Sequence, residues 1–129
     1  MRDTRTAGSD DAFFWEGAAD DLLLIQRCAE CGVLRHPPAP MCGNCGSLQW
    51  DTLEASGRGR IHSWMFSLHP NRPDEPARIV ILVQLDEGVR LVSNLVDPPP
   101  DGPYDDLEVE VVFRDDRGTR TPFFLVVGA

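Results

Sequence analysis

The sequence predicts a mainly β protein in which a short N-terminal helix and a zinc ribbon precede a five-stranded, partly open barrel of the oligonucleotide/oligosaccharide-binding (OB) type. Three observations carry that prediction. Four cysteines fall as Cys28-x-x-Cys31 and Cys42-x-x-Cys45 with ten residues between the pairs, a spacing that lets two turns offer four thiolates to one tetrahedral ion. From Gly57 onward the chain changes to five apolar runs separated by turn residues, Arg58 to Leu68, Arg78 to Leu85, Val89 to Leu95, Leu107 to Phe113 and Thr119 to Val127, as a small barrel requires. Length sets the third limit, since 129 residues suffice for one ordinary domain or a small core with a metal module. An SH3-like barrel is the rival to the OB arrangement.

In chain order, residues 1–10 are small and polar and read as a disordered tail. Residues 11–21 form a helical arm: Ser9 to Asp11 offer capping side chains, Phe13, Phe14 and Trp15 follow, and Gly17 stops the helix. The three aromatics suit either a helix docked on its own domain or an arm that docks on another protein. Residues 22–53 form the ribbon. Leu22 to Arg27 leads into the first knuckle, Val33 to Arg35 leaves it, and His36-Pro37-Pro38-Ala39-Pro40 stiffens the approach to the second. His36 is a weaker ligand candidate than the four thiols. Residues 54–129 form the barrel, with hairpins at Asp86-Glu87-Gly88 and Asp115-Asp116-Arg117-Gly118. Proline-rich connections run from His69 to Pro76 and from Asp97 to Pro103. The second holds too many prolines for a helix, so the ribbon or the N-terminal helix is expected to plug that end of the barrel.

The cysteines point to metal. No secretory signal supports disulfides, and no βαβ pattern surrounds either pair as a thioredoxin-like motif would require. Glycine follows each pair, at Gly32 and Gly46, where a tight turn needs positive φ. Sulfur ligation suits zinc and a rubredoxin-like iron centre alike. Zinc is the expectation, because nothing else in the chain suggests electron transfer.

Net charge is −9, all twelve basic residues are arginine, and no apolar run approaches a membrane span. The expectation is a soluble, cytoplasmic chain without membrane association. A strongly acidic protein is poorly suited to neutralising phosphates, which argues against nucleic acid. One local feature runs the other way: strand alternation would set Arg58, Arg60, His62, Trp64 and Phe66 on one face, able to grip a nucleotide or the phosphates of coenzyme A. The alternative is that Trp64 and Phe66 are core and the arginines solvated or paired with acids. No catalytic constellation stands out among three histidines and twenty-one acids. The apolar strands Ile79 to Val83 and Pro122 to Val127 lack polar alternation and favour a protein interface. Phe13, Phe14, Trp15, Phe123 and Phe124 are its candidates.

The chain also resembles a known family. Phe13-Phe14-Trp15, Leu24 to Gly32, Pro37-Pro38, Cys42 to Ser47, Trp50, Ser56 to Ser63 and Leu85 to Leu91 are similar to the zinc-ribbon/OB-fold proteins grouped as domain of unknown function thirty-five. The resemblance covers roughly residues 11–127. It implies an accessory subunit of an acyl-CoA enzyme, with zinc held by Cys28, Cys31, Cys42 and Cys45, a coenzyme A thioester as ligand of the complex, and the catalytic residues on the partner. The implied partner is a thiolase-fold enzyme, above all a lipid-transfer-protein-like aldolase of steroid side-chain degradation, in a hetero-oligomer; a MaoC-like hydratase is the other. Gly57, Arg58 and Gly59 match the turn and strand that open the family's barrel.

Overall fold

Five β-rich segments close into one barrel around apolar residues that each of them turns inward. In the computed structural model, which describes residues 11–68, 77–100 and 102–128, the barrel strands are β4 (Arg58–Ser67), β5 (Arg78–Leu85), β6 (Arg90–Leu95), β7 (Glu108–Asp116) and β8 (Thr119–Val126). Their order round the barrel is β4-β5-β6-β8-β7. Before them come α1 (Ala12–Ala19), β1 (Leu24–Cys28), β2 (Leu34–Arg35) and β3 (Trp50–Glu54), the last three forming an antiparallel sheet in the order β2-β1-β3. This is the mainly β arrangement of helix, ribbon and OB-type barrel that the sequence predicts; the barrel, expected to be partly open, is closed. The expected tail 1–10, His69 and the connection 69–76 lie outside the described residues.

Strand β5 shows how pattern becomes wall. Ile79, Ile81, Val83 and Leu85 are buried, while Val80, Leu82 and Gln84 on the other face are half-buried. The core is continuous with the N-terminal half: Phe14 of α1, Leu23, Ile25 of β1 and Ala55 belong to one cluster with Ile61, Ile81, Val83, Val109 and Phe124. Tyr104 also belongs to it, with its hydroxyl donating to the Pro99 carbonyl (3.1 Å) and its ring edge-on to Trp64 at 4.9 Å. A proline-rich connection thus supplies a core aromatic, which the sequence reading missed.

Three expectations need correction. First, β4 does not carry one basic and aromatic face. Ile61 pairs with Val83 and Ser63 with Leu82, so a β-bulge places His62 as the extra residue. The bulge reverses the alternation, leaving Arg58 and Arg60 exposed while Trp64 and Phe66 pair with Ile81 and Ile79 of the inner face. Second, Phe124 is fully buried and Phe14 nearly so, which removes both as surface contacts. Third, the last hairpin is tighter than expected. The ladder reaches Asp116↔Thr119, and Arg117 (φ 52°) with Gly118 (φ 85°) forms a two-residue turn with both central residues left-handed.

The N-terminal arm is tied down on several sides. Phe13 packs on Trp50 (5.2 Å between centroids), and Phe14 on Trp15 (5.1 Å) and His36 (5.4 Å). Beyond the helix, Arg120 of β8 grips Asp21 through two hydrogen bonds of 2.8 and 3.1 Å and holds its carboxyl below the usual range. Among the described residues, no helix is long and apolar enough to cross a membrane.

Candidate metal centre and surrounding surfaces

The first knuckle begins where β1 ends. Cys28 donates its backbone N–H to Val33 O (2.9 Å) and accepts from Gly32 N (3.0 Å), folding Ala29 to Gly32 into a turn. The second knuckle repeats the pattern, with Cys42 N to Ser47 O and Gly46 N to Cys42 O both 2.9 Å. Gly32 (φ 80°) and Gly46 (φ 77°) occupy equivalent left-handed positions, where a side chain would be strained.

The turns bring all four Sγ atoms within 4.8 Å of one another. Cys28 and Cys45 sulfurs lie 3.5 Å apart, and those of Cys31 and Cys42 3.6 Å. A zinc–sulfur distance of about 2.3 Å at tetrahedral angles sets sulfurs about 3.8 Å apart, so the cluster fits one ion of that size. Cys28 and Cys42 are buried, Cys31 and Cys45 exposed. Asn44 Nδ2 reaches Cys31 Sγ at 3.6 Å from outside.

Electrostatics favour a cation at the centre of these sulfurs. Backbone N–H groups, first that of Cys31 (3.5 Å), lower the Cys28 thiol to about 6. Those of Cys45 and Asn44 lower Cys42 as well. For Cys45 the Ser47 N–H favours the thiolate, but its contact with Cys28, burial, and the Cys31 and Cys42 sulfurs outweigh it and push the thiol up to about 12. Four thiols this close cannot all ionise by themselves. A divalent ion removes that conflict, and its binding releases the remaining protons.

Behind the knuckles stands a buried polar brace. Gln26 is 1% exposed, and its Oε1 accepts from Arg35 Nε and Ala39 N, both at 2.8 Å. Arg35 Nη2 donates in turn to Ala39 O (2.9 Å). The brace locks β1 and β2 to the linker between the two pairs, which contains the cis bond His36-Pro37. Across the sheet, Arg27 and Asp51 form a bidentate pair. Sequence reasoning missed Gln26; the available signal was an uncharged polar residue directly after the apolar run Leu22 to Ile25 and two before Cys28.

The surface candidates divide. Arg58 pairs with Glu110 (3.8 Å), and Arg60 bonds Glu108 Oε1 and the Asp106 carbonyl, both at 2.9 Å. His62 is exposed on the bulge, whereas Trp64 is half-buried between Tyr104 and Phe66. Phe13, Trp15 and Phe123 are half-buried. Two apolar surfaces went unforeseen. Met65, Phe66 and Leu68 are 60, 57 and 74% exposed at the end of β4, and Val33, Met41 and Leu48 are exposed around the knuckles.

Comparison with known proteins agrees with this geometry. Residues 15–51 match the rubredoxin-like zinc ribbon domain of ChsH2, and residues 53–114 its C-terminal OB-fold domain. A probable enoyl-CoA hydratase alpha subunit of Thermomonospora curvata is 48% identical over 102 residues, 78% of this chain but 32% of that protein. The chain thus spans about a third of the length of the hydratase subunits it matches. A DUF35 domain-containing scaffold protein of Methanothermobacter thermautotrophicus is 38% identical over 97 residues, 71% of each chain. Among solved structures, a chain of the Ltp2-ChsH2(DUF35) aldolase superposes with a TM-score of 0.85 at 43% identity, covering 92% of this chain and 95% of that one. A DUF35 protein of Sulfolobus solfataricus shares the fold at 12% identity and a TM-score of 0.64. With its ribbon, its barrel and the scaffold proteins it matches along most of their length, the chain belongs to the DUF35 family.

Proposed function

We propose that this chain is a non-catalytic subunit that docks on a thiolase-fold acyl-CoA enzyme and helps form or stabilise its acyl-CoA site. The partner is a steroid side-chain aldolase that cleaves a steroid-CoA thioester by a retro-aldol reaction. One observation carries the reading: this chain superposes over nearly its whole length on a chain of the Ltp2-ChsH2(DUF35) aldolase. The exposed apolar patches at Met65 to Leu68 and around the knuckles supply surface for such an interface.

The metal acts structurally in this reading. Cys28, Cys31, Cys42 and Cys45 hold one zinc ion, which fixes both knuckles and keeps Val33, Met41 and Leu48 in one relative arrangement. The half-buried Phe13 and Trp15 of α1 and Phe123 of β8 are further candidates for contact with the partner.

A second association has its own support. The relatives from Thermomonospora curvata and Mycobacterium tuberculosis are named as hydratase alpha subunits, so a MaoC-like hydratase is the other candidate partner. Nucleic acid gains nothing from the structure, because the bulge at His62 divides the face that motivated it.

Co-expression with each candidate enzyme, followed by size-exclusion chromatography, tests the reading. A single peak holding both chains with the aldolase supports it. Separate elution from the aldolase, with the four-thiol site loaded with zinc, refutes it.

A further inference from the structure

The arginines of this acidic chain are not all occupied alike. Arg27, Arg58, Arg60, Arg114 and Arg120 each meet a carboxylate. Arg78 meets Asp116 at 3.7 Å, much as Arg58 meets Glu110, whereas Arg117, at the tip of the β7–β8 turn, has no ion pair or hydrogen bond among the described residues. Arg78 and Arg117 line one cleft of about 410 Å³ whose floor includes Leu95, Val96 and Phe123. Among the described residues, no acid lines it. In a protein of net charge −9, a cleft whose described lining holds two arginines and no acid, with only Asp116 reaching one of them, is complementary to an anion. The apolar floor requires that the anion carry an apolar body.

The cleft does not end at Phe123. That residue and Asn94 also line a second hollow of about 430 Å³, which runs beneath α1 between Trp15, Val80, Val92 and Pro37. Asn94 of β6 and Phe123 of β8 line both, so the two adjoin and together offer a path, whose second part Asp11 also lines. Each lies in the size range of small-molecule sites. Asn94 stands where they meet, its Nδ2 donating to Ile79 O at 3.5 Å.

We propose that this path binds an elongated amphipathic anion, with its carboxylate or phosphate between Arg78 and Arg117 and its apolar body over Phe123 and into the hollow beneath α1. A guanidinium matches either oxyanion through paired N–H donors. The site is distinct from the Arg58 and Arg60 surface, where both arginines have acidic partners, because Arg117 has none among the described residues. It does not depend on any docking partner and is tested on this chain alone.

Octyl phosphate and octanoate, both below their micellar concentrations, are titrated into zinc-loaded, isotopically labelled protein and followed by amide NMR. Inorganic phosphate and octyltrimethylammonium serve as the tail-free and cationic controls. Saturable shifts at Leu95, Val96, Arg117 and Phe123 are expected with one or both anions, and the tighter of the two identifies the headgroup. A decyl chain should bind at least threefold tighter and extend the shifts to Val92 and Trp15. Arg117→Asn, chosen because asparagine tolerates the left-handed φ, should weaken binding at least fivefold, and Arg58→Gln should not change it. Equal binding of the cation or of inorganic phosphate, an unchanged Arg117→Asn, or an equal loss in Arg58→Gln overturns the proposal. So does the absence of saturable shifts with both anions.

Discussion

Replacing Phe14 by alanine distinguishes a helix that belongs to this domain from an arm held ready for a partner. Its ring is 7% exposed and sits in the core cluster with Leu23, Ile25 and Phe124. Burying a phenylalanine removes roughly 150–250 Å² from water, worth about 4–6 kcal/mol at 25 cal/mol per Å². That area is an upper bound, because the unfolded chain already hides part of it. Large-to-small changes of this kind cost about 3–5 kcal/mol, and lost ring contact with Trp15 and His36 keeps the figure near 4 kcal/mol. For a domain of this size, about 4 °C accompanies each kcal/mol, so the melting temperature should fall by about 16 °C. Phe13→Ala, at a half-buried site against Trp50, should cost about a quarter of that. Circular dichroism melts of zinc-loaded protein measure both. A Phe14→Ala melting point within 3 °C of the parent would show that α1 does not belong to the core.

Other consequences follow from single contacts. Gly59 of β4 is buried, and a Cβ there would press on the Gln84 carbonyl oxygen and lie 2.9 Å from Val83 Cγ1; Gly59→Ala should cost about 2 kcal/mol, or roughly 8 °C, by prising β4 from β5. Gly43→Ala meets nothing within 4 Å and should leave the melt within about 2 °C, so equal effects would contradict the barrel register. Cys28→Ser should lower bound zinc from one equivalent to under a tenth by elemental analysis and reduce the melting temperature, as chelator should in the parent; retention of a full equivalent would rule out four-thiol ligation. Burial holds the His36 imidazole below its ordinary range. The unfolded chain therefore takes up the proton first, and stability present above about pH 6.5 should be lost as pH falls through the folded pKa. Urea midpoints should drop more between pH 7.5 and 5.5 in the parent than in His36→Phe, and identical drops would remove His36 as the cause.

How far the sequence could be read depended on how local each signal was. The knuckles were legible because four cysteines and two glycines act through spacing within short turns. Strand β5 was legible to the residue, Arg78 to Leu85, because an unbroken run of β-branched and apolar residues, Ile79 to Val83, forms its middle and the turn Asp86-Glu87-Gly88 ends it. The bulge at His62 was not, since period-2 reading assumes unbroken pairing and the extra residue is set by the partner strand. One misplaced residue then separated the arginines from Trp64 and dissolved a binding face. Tyr104 was hidden for another reason. Its neighbours say loop, and only closure of the barrel brings its ring to Trp64. Phe14 and Phe123 look alike in sequence, yet packing buries one and leaves the other at a cleft, a distinction that tertiary structure alone makes.

The central claim is that this chain completes another enzyme's work without performing chemistry itself. Steroid side-chain acyl-CoA cleavage, followed by release of the retro-aldol products, should be measured for the co-purified pair, for the aldolase alone and for this chain alone. Turnover is expected from the pair, at least tenfold less from the aldolase alone, and none from this chain. Full activity of the isolated aldolase, or turnover by this chain without it, would contradict the account.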